Sequence, residues 1–327
     1  MADTICIVGP TASGKTALAV LLAEAIGGEV VSCDSMQIYR GMDIGTAKPT
    51  KEEMRQVPHH MIDVLSPMED CSAARFSELA SRCVDEIHAR GKTAILAGGT
   101  GLYIDALVSG RTFAPMPQTG RREELERMAD AHGMDWMLSY LASFDPEAAA
   151  RLHSADRKRV LRACEVYLET GSTITEHNRR TQELPPRYRP CWIGLDYLER
   201  EHLYARINRR VDVMLEQGLL EEIRQLLDSG VPERGTALAA IGYKEFLPAL
   251  RGECTVEEAA EAVRRESRRY AKRQLTWFRR NPEIHWILLP EHPDFSAVFE
   301  EAKGILAQFQ AAEAAADGDA AAVQSER

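Results

Sequence analysis

ICIVGPTASGKTALAVLLAEAI, residues 5–26, decides how this chain folds. It opens on a short uninterrupted apolar run, the pattern of a strand buried on both faces. Gly9-Pro10-Thr11-Ala12-Ser13-Gly14-Lys15-Thr16 follows, an intact GxxxxGKT, and an apolar stretch of helical length comes after it. Strand, glycine-rich loop and helix in that order make a phosphate cradle. The loop amides, the Lys15 ammonium and the positive end of the helix all face one anion. The Thr16 hydroxyl is placed to reach a Mg²⁺ that accompanies the phosphates. The motif identifies a polyphosphate site without saying which polyphosphate it takes or what becomes of it.

Residues 29–33 and 93–97 read as two further strands, with helices over Lys15–Ile26 and residues 72–89. Apolar strands alternating with amphipathic helices predict an α/β fold, a P-loop NTPase-like parallel sheet flanked by helices. Residues 1–119 form the first part of this core. Composition changes near Pro115-Met116-Pro117, and residues 120–186 read as a mostly helical insertion domain or as successive helices of the main body. Residues 187–311 return to the core, with a strand near Trp192, helices over 199–217 and 219–229, a long charged helix over Val256–Phe278 and an edge strand over His285–Leu289. The alanine-rich tail, 312–327, is expected to be frayed helix or disordered.

The 327 residues are 45% hydrophobic, ordinary for a soluble globular protein of two domains. The N-terminus lacks the pattern of a secretory signal, and no apolar run reaches the length of a membrane span. Seven cysteines without a CxxC suit a reducing, cytoplasmic compartment. A net charge of −10 weighs against a nucleic-acid partner, yet residues 264–280 carry eight Lys or Arg against one Glu. Such a local basic segment can dock a phosphate backbone.

Several further clusters carry chemistry. Asp34-Ser35 falls at the carboxyl end of the second strand, the rim where open parallel sheets bind ligands. Asp34 reads as a metal ligand, a binder of a substrate NH or OH, or a general base. It makes a poor Walker-B aspartate, which weighs against an ordinary ATPase. The loop from Asp43 to Pro49 reads as a turn or a site. In His59-His60-Met61-Ile62-Asp63 the adjacent histidines point apart on a strand, so a structural or substrate-channel role is favoured over a metal. Gly98-Gly99-Thr100-Gly101 reads as a second ligand loop with a hydroxyl at the same rim. Arg206 and Arg210 share a helix face and could reach over the phosphates. In the basic segment, Arg265, Arg268 or Arg269, Lys272 and Arg279 line one side with Tyr270, Trp277 and Phe278 between them. That fits tracking of a phosphate backbone with base stacking, or a charge-laced surface helix packed by its aromatics.

Taken together, GPTASGKT at 9–16, DSMQIYRGMDIGTAKP at 34–49, HHMID at 59–63, GGTGLY at 98–103, LHSADRKRVLRACEVY at 152–167, AIGYKE at 240–245 and YAKRQLTWFR at 270–279 resemble one family. It is that of the tRNA dimethylallyltransferases, or tRNA isopentenyltransferases, of the bacterial type, and the resemblance covers residues 5–280. It implies transfer of a dimethylallyl group from dimethylallyl diphosphate to N6 of the adenosine just 3′ of the anticodon, with release of pyrophosphate. The P-loop residues Gly9, Pro10, Thr11, Ala12, Ser13, Gly14, Lys15 and Thr16 would then hold the donor's diphosphate, with Arg206 and Arg210 beside it and Mg²⁺ on Thr16. Asp34 matches the family's proposed general base, Arg210 its phosphate-binding arginine, and Thr100 a residue near the reacting centre. The partner implied is the tRNA anticodon stem-loop. Ser35, Gln37, Asp43 and Lys48 would meet it, together with Arg157, Lys158, Arg159 and Arg162 of the insertion and Lys272, Arg273 and Gln274 of the basic helix. A cytoplasmic monomer with no membrane and no obligate protein partner is expected. One departure is Ser267-Arg268-Arg269-Tyr270, where relatives carry Thr-Arg-Gln-Tyr. The rival readings are a nucleotide or small-molecule kinase and a non-catalytic RNA-binding protein.

Overall fold

The computed structural model describes residues 4–111, 113–114 and 119–325. The Pro115-Met116-Pro117 boundary read from composition lies outside the described residues. The chain divides into two compact units, Met1–Val108 with Tyr188–Arg327, and Ser109–Arg187. The helical insertion expected at 120–186 falls within the second of these.

In the first unit the order begins β1 (Thr4–Val8), α1 (Lys15–Ile26), β2 (Glu29–Ser32), α2 (Lys51–Met54), β3 (His59–His60), α3 (Ala73–Ala89), β4 (Ala94–Gly98) and α4 (Gly101–Ser109). The second unit is helical: α5 (Arg121–His132), α6 (Met134–Ala142), α7 (Pro146–Arg151), α8 (Arg157–Thr170) and α9 (Ile174–Gln182). The first unit resumes with β5 (Cys191–Tyr197), α10 (Arg200–Glu216), α11 (Leu219–Asp228), α12 (Leu247–Leu250), α13 (Val256–Phe278), β6 (His285–Leu289) and α14 (Phe295–Ser325). Helix α14 continues past Ala312, where composition predicts fraying or disorder. Among the described residues no helix is long and apolar enough to cross a membrane.

The six strands form one parallel sheet in the order β3-β2-β4-β1-β5-β6. This is the α/β fold the strand–loop–helix opening predicts. β1 is central, and its alternating side chains feed two cores. Cys6 and Val8 join Val31 and Leu96 on one face, while Ile5 and Ile7 join Val30, Ile95 and Ile193 on the other. Such two-sided burial needs an apolar residue at every position, which is why the run 5–8 is unbroken. The register Val8↔Gly98 and Ser32↔Ala97 brings the ends of β1, β4 and β2 to one rim. The P-loop, the GGTG loop and Asp34 are therefore neighbours.

The second unit has its own core, in which Leu125, Met137, Leu141, Val160, Leu161 and Cys164 are fully buried. Asp145 caps α7 through the Ala148 amide (3.0 Å) and accepts from the Thr175 amide (3.1 Å) and hydroxyl (2.7 Å), tying α7 to α9.

At the far end of β2, buried Glu29 meets His60 (2.7 Å), Arg90 (2.7 Å) and Lys92 (2.9 Å). Burial alone would raise its pKa, but hydrogen bonds from Lys92, His60 and Arg90 hold it down to about 2. The folded pKa lies below the unfolded one, so this stability is present above the unfolded value and is lost as pH falls from 4.5 towards 2. Allowing for solvent around Arg90 and Lys92, it is worth roughly 2 kcal/mol. Acid unfolding of Glu29→Gln, followed by circular dichroism, should show a flatter pH dependence across that window. An unchanged slope would refute the assignment.

Candidate active site

The P-loop conformation depends on its glycines. Gly14 caps α1 at φ +88°, and a Cβ there would lie 2.1 Å from the Phe295 ring. A Cβ on Gly9 (φ +146°) would lie 2.4 Å from the Leu195 carbonyl. Ala12 is left-handed at φ 65°, a strained state for a residue with a side chain. The first turn of α1 has no side-chain cap and no acidic residue, so its amides keep their positive potential.

Cations surround this loop. Lys15 Nζ donates to the Pro10 carbonyl at 2.6 Å. Arg206 donates to the Ala12 carbonyl (3.1 Å) and Arg210 to the Thr11 hydroxyl (3.4 Å), one turn apart on α10. Burial and the adjacent Arg210 lower the Lys15 pKa to about 7, against the pull of Asp34. Burial and Arg206 lower that of Arg210 as well. Cations that lower one another's pKa in this way make a charge arrangement that a nearby anion would relieve.

Asp34 stands two residues beyond β2. Its Oδ1 accepts from the amides of Met36 (2.8 Å) and Gln37 (3.4 Å), and Oδ2 has no partner among the described residues. The Thr100 hydroxyl accepts from the Ser35 amide at 3.2 Å and lies beside the Tyr270 hydroxyl. Burial, then Asp34, pushes the Tyr270 pKa up to about 12, so this phenol stays protonated at neutral pH.

Two adjoining cavities open here. One, of about 440 Å³, is lined by Lys15, Thr16, Arg206, Gly99 and Phe295. The other, of about 290 Å³, is walled largely by apolar Ile207, Val211, Met214, Ile241 and Val263. Asp34, Thr46, Ala47, Arg210 and Tyr270 line both. The arrangement joins a cationic pocket to an apolar one, with a carboxylate at the junction. Among the described residues no group of three or more His, Cys, Asp or Glu is arranged to hold a metal. His59 bonds the Val57 carbonyl (2.9 Å) and His60 bonds Glu29, at the sheet edge.

Other sequence-selected residues have protein partners. Gln274 is buried. It donates to the Gly99 carbonyl (2.9 Å) and accepts from the Thr11 amide (2.9 Å), so it ties the two glycine-rich loops together. Gln37 binds the carbonyls of Thr46 (3.3 Å) and Ala47 (3.2 Å). The Lys48 ammonium is enclosed by Asp43, Asp63 (2.6 Å) and the Tyr39 carbonyl (2.9 Å). On α13, Arg264 pairs with Asp212 and Glu257 (both 2.6 Å), Arg268 with Glu261 (3.1 Å) and Asn208 (2.7 Å), and Arg269 with Glu266 (2.7 Å). Its aromatics turn inward: Trp277 packs over Gly101 and donates to Asp105 (2.9 Å), and Phe278 is buried. Lys272 and Arg273 remain exposed. In the second unit Arg157 pairs with Asp130 (2.7 Å) and Arg162 with Glu165 (3.2 Å), while Lys158 and Arg159 project from α8 into solvent. The apposition of Phe295 to Gly14 comes from distant sequence and carries no local signal.

Comparisons with known proteins supply the family. A family model described as IPP transferase matches residues 37–281. The tRNA dimethylallyltransferase of Acetivibrio thermocellus is 44% identical over 310 residues, 94% of this chain and 99% of that protein. The one from Geobacter metallireducens is 48% identical over 286 residues, covering 88% and 92%. Among solved structures, the full-length tRNA isopentenylpyrophosphate transferase from Bacillus halodurans superposes with a TM-score of 0.70 at 43% identity, covering 94% of this chain and 96% of that one. A eukaryotic dimethylallyltransferase described as acting on tRNA gives 0.76 at 30% identity, covering 90% and 75%. With a family model matched over residues 37–281 and close relatives covered over most of their length, this chain belongs to the IPP transferase family.

Proposed function

We propose that the chain transfers a dimethylallyl group from dimethylallyl diphosphate to N6 of the adenosine immediately 3′ of a tRNA anticodon. The observation that carries this reading is the junction of a cationic cavity, an apolar cavity and the Asp34 carboxylate. A diphosphate suits the first, a hydrocarbon and a flat base the second. N6 attacks C1 of the donor, the C1–O bond breaks, and pyrophosphate leaves with the bonding pair. Asp34 Oδ2 takes the N6 proton as the C–N bond forms, because an exocyclic amine is a poor nucleophile without a base. Lys15, Arg206, Arg210 and the amides of the α1 N-terminus receive the charge that grows on the leaving group. Thr100 and the protonated Tyr270 shape the polar wall beside the amine. The base enters this site from a single-stranded loop, where leaving the stack costs least.

Mg²⁺ fits the site in a limited way. The Thr16 hydroxyl lines the phosphate cavity and has no hydrogen-bond partner among the described residues. Mg²⁺ takes most of its ligands from phosphates and water, and this hydroxyl would add a protein ligand beside a diphosphate. Bound there, it would neutralise charge on the departing pyrophosphate. In tRNA recognition the exposed Lys272 and Arg273 are read as contacts to the RNA backbone, and Lys158 and Arg159 of the helical unit are read separately as contacts to the anticodon stem. The protein is read as a cytoplasmic monomer.

Two outcomes follow from the charges. With Lys15 near pH 7 in the free protein, diphosphate binding should raise its pKa and take up a proton above that pH. Affinity for inorganic pyrophosphate should therefore weaken as pH rises from 7 to 9. Calorimetry at pH 8 in two buffers of different ionisation enthalpy should register the uptake; no buffer dependence would contradict it. Separately, Lys272→Glu with Arg273→Glu should weaken tRNA binding and reduce its salt dependence by about one ion for each phosphate no longer neutralised. Wild-type tRNA affinity at several salt concentrations would refute that role.

The direct test is incubation with Mg²⁺, unmodified tRNA and dimethylallyl diphosphate, followed by nucleoside mass analysis. A prenyl-sized gain on the adenosine beside the anticodon is expected. Phosphorylation of a nucleoside by ATP, without that gain, would overturn the reading in favour of a kinase.

A further inference from the structure

We infer that Glu222 is a positioning residue for the acceptor side of the site: its carboxylate clamps the 43–47 loop and thereby sets the wall shared with Asp34. The inference rests on the prenyl-transfer reading for its rate assay but not for its structural test.

Glu222 lies in the first turn of α11. Its Oε2 accepts from the amides of Asp43 (2.8 Å) and Ile44 (2.7 Å), and its Oε1 from the Gly45 amide (3.1 Å) and the Tyr243 hydroxyl (2.7 Å). Three successive amides converging on one anion form a nest, and here the chain supplies the anion itself. Tyr243 is fully buried, and a Cβ on Gly45 would lie 2.5 Å from its ring. Ring and carboxylate thus hold the same short backbone segment, one by contact and one by charge.

The next residues make this matter for chemistry. Thr46 and Ala47 line both cavities alongside Asp34. Ala47 is left-handed at φ 49°, a conformation that persists where its surroundings impose it. The ties from Gln37 and Lys48 come from nearby sequence and hold the loop to the β2 side. Glu222 ties it instead to the α11 side, directly after the helix that carries Arg206 and Arg210. The acceptor wall is in this way registered against the element that grips the diphosphate, and small errors in such placement are costly to rate.

Glu222→Gln keeps the side-chain volume and replaces one acceptor oxygen by an amide donor, which faces a donor already there. The expected result is a roughly 10- to 100-fold slower single-turnover transfer at saturating donor, with the dissociation constant for dimethylallyl diphosphate unchanged. Hydrogen exchange at the amides of 43–45 should accelerate. Tyr243→Phe, which leaves the ring on Gly45 and removes one of the four hydrogen bonds, should change rate and exchange in the same direction by less. A wild-type transfer rate in Glu222→Gln, or equal losses of donor affinity and rate with a large fall in Tm, would overturn the positioning role. Unchanged exchange at 43–45 would overturn the clamp whatever the protein transfers. Absence of transfer by the wild-type protein would overturn the prenyl-transfer reading instead, a result the exchange comparison keeps distinct.

Discussion

Asp34→Asn is expected to bind tRNA and dimethylallyl diphosphate as the wild type does and to lose turnover by roughly 10²- to 10⁴-fold. The separation follows from the two oxygens. Oδ1 closes the turn after β2 by accepting from the Met36 and Gln37 amides, and asparagine retains that carbonyl. Oδ2 is the free oxygen at the junction of the cavities, and asparagine replaces it with an NH₂ that cannot take a proton. Geometry and neighbouring cations are otherwise preserved, so a folding defect is not expected. Single-turnover transfer with preformed tRNA complex reads the chemical step directly. A rate close to wild type would remove Asp34 from the role of base and leave it as the cap of its turn.

The parts of this site that can be read from the sequence are those written in contiguous backbone. β1 is legible because burial on both faces demands an unbroken apolar run. The P-loop is legible because Gly9 and Gly14 occupy conformations and spaces that a side chain cannot. The GGTG loop is legible for the same reason: a Cβ on Gly98 would lie 2.2 Å from the Cys33 carbonyl. What escapes is tertiary. Glu222 reaches its loop across 177 to 179 positions, and Gln274 reaches Thr11 across 263. Nothing local distinguishes Glu222 from the exposed Glu221 beside it. β3 is two residues long and too short for any periodicity to register. The basic helix shows where composition alone stops short. Its cations count as a patch in the sequence, but Arg264, Arg268 and Arg269 meet carboxylates on their own helix or on α10, Trp277 and Phe278 pack against the core, and Tyr270 lines the cavities.

Lys15→Ala tests the other half of the mechanism and should cost roughly 10²- to 10³-fold in transfer rate. The ammonium is the side chain whose position in the P-loop brings a full charge to the diphosphate, while Arg206 and Arg210 approach from α10. Loss of its hydrogen bond to the Pro10 carbonyl should not unravel the loop. That carbonyl also accepts from the Ser13 hydroxyl (2.8 Å), and Gln274 and Arg206 hold Thr11 and Ala12 from outside. Removing a cation whose pKa is already lowered by burial and by Arg210 also relieves repulsion, so Tm should hold steady or rise. Arginine is a poor replacement, because its broad planar head would stand in a largely enclosed position beside Arg210, where a compact ammonium reaches the Pro10 carbonyl. Charge on the bridging oxygen increases as the C1–O bond breaks, so the rate at saturating donor should fall further than donor affinity does. If affinity alone fell and the saturated rate stayed at the wild-type value, Lys15 would be a ground-state anchor, and the stabilisation of the leaving pyrophosphate would belong to Arg210 and the α1 amides.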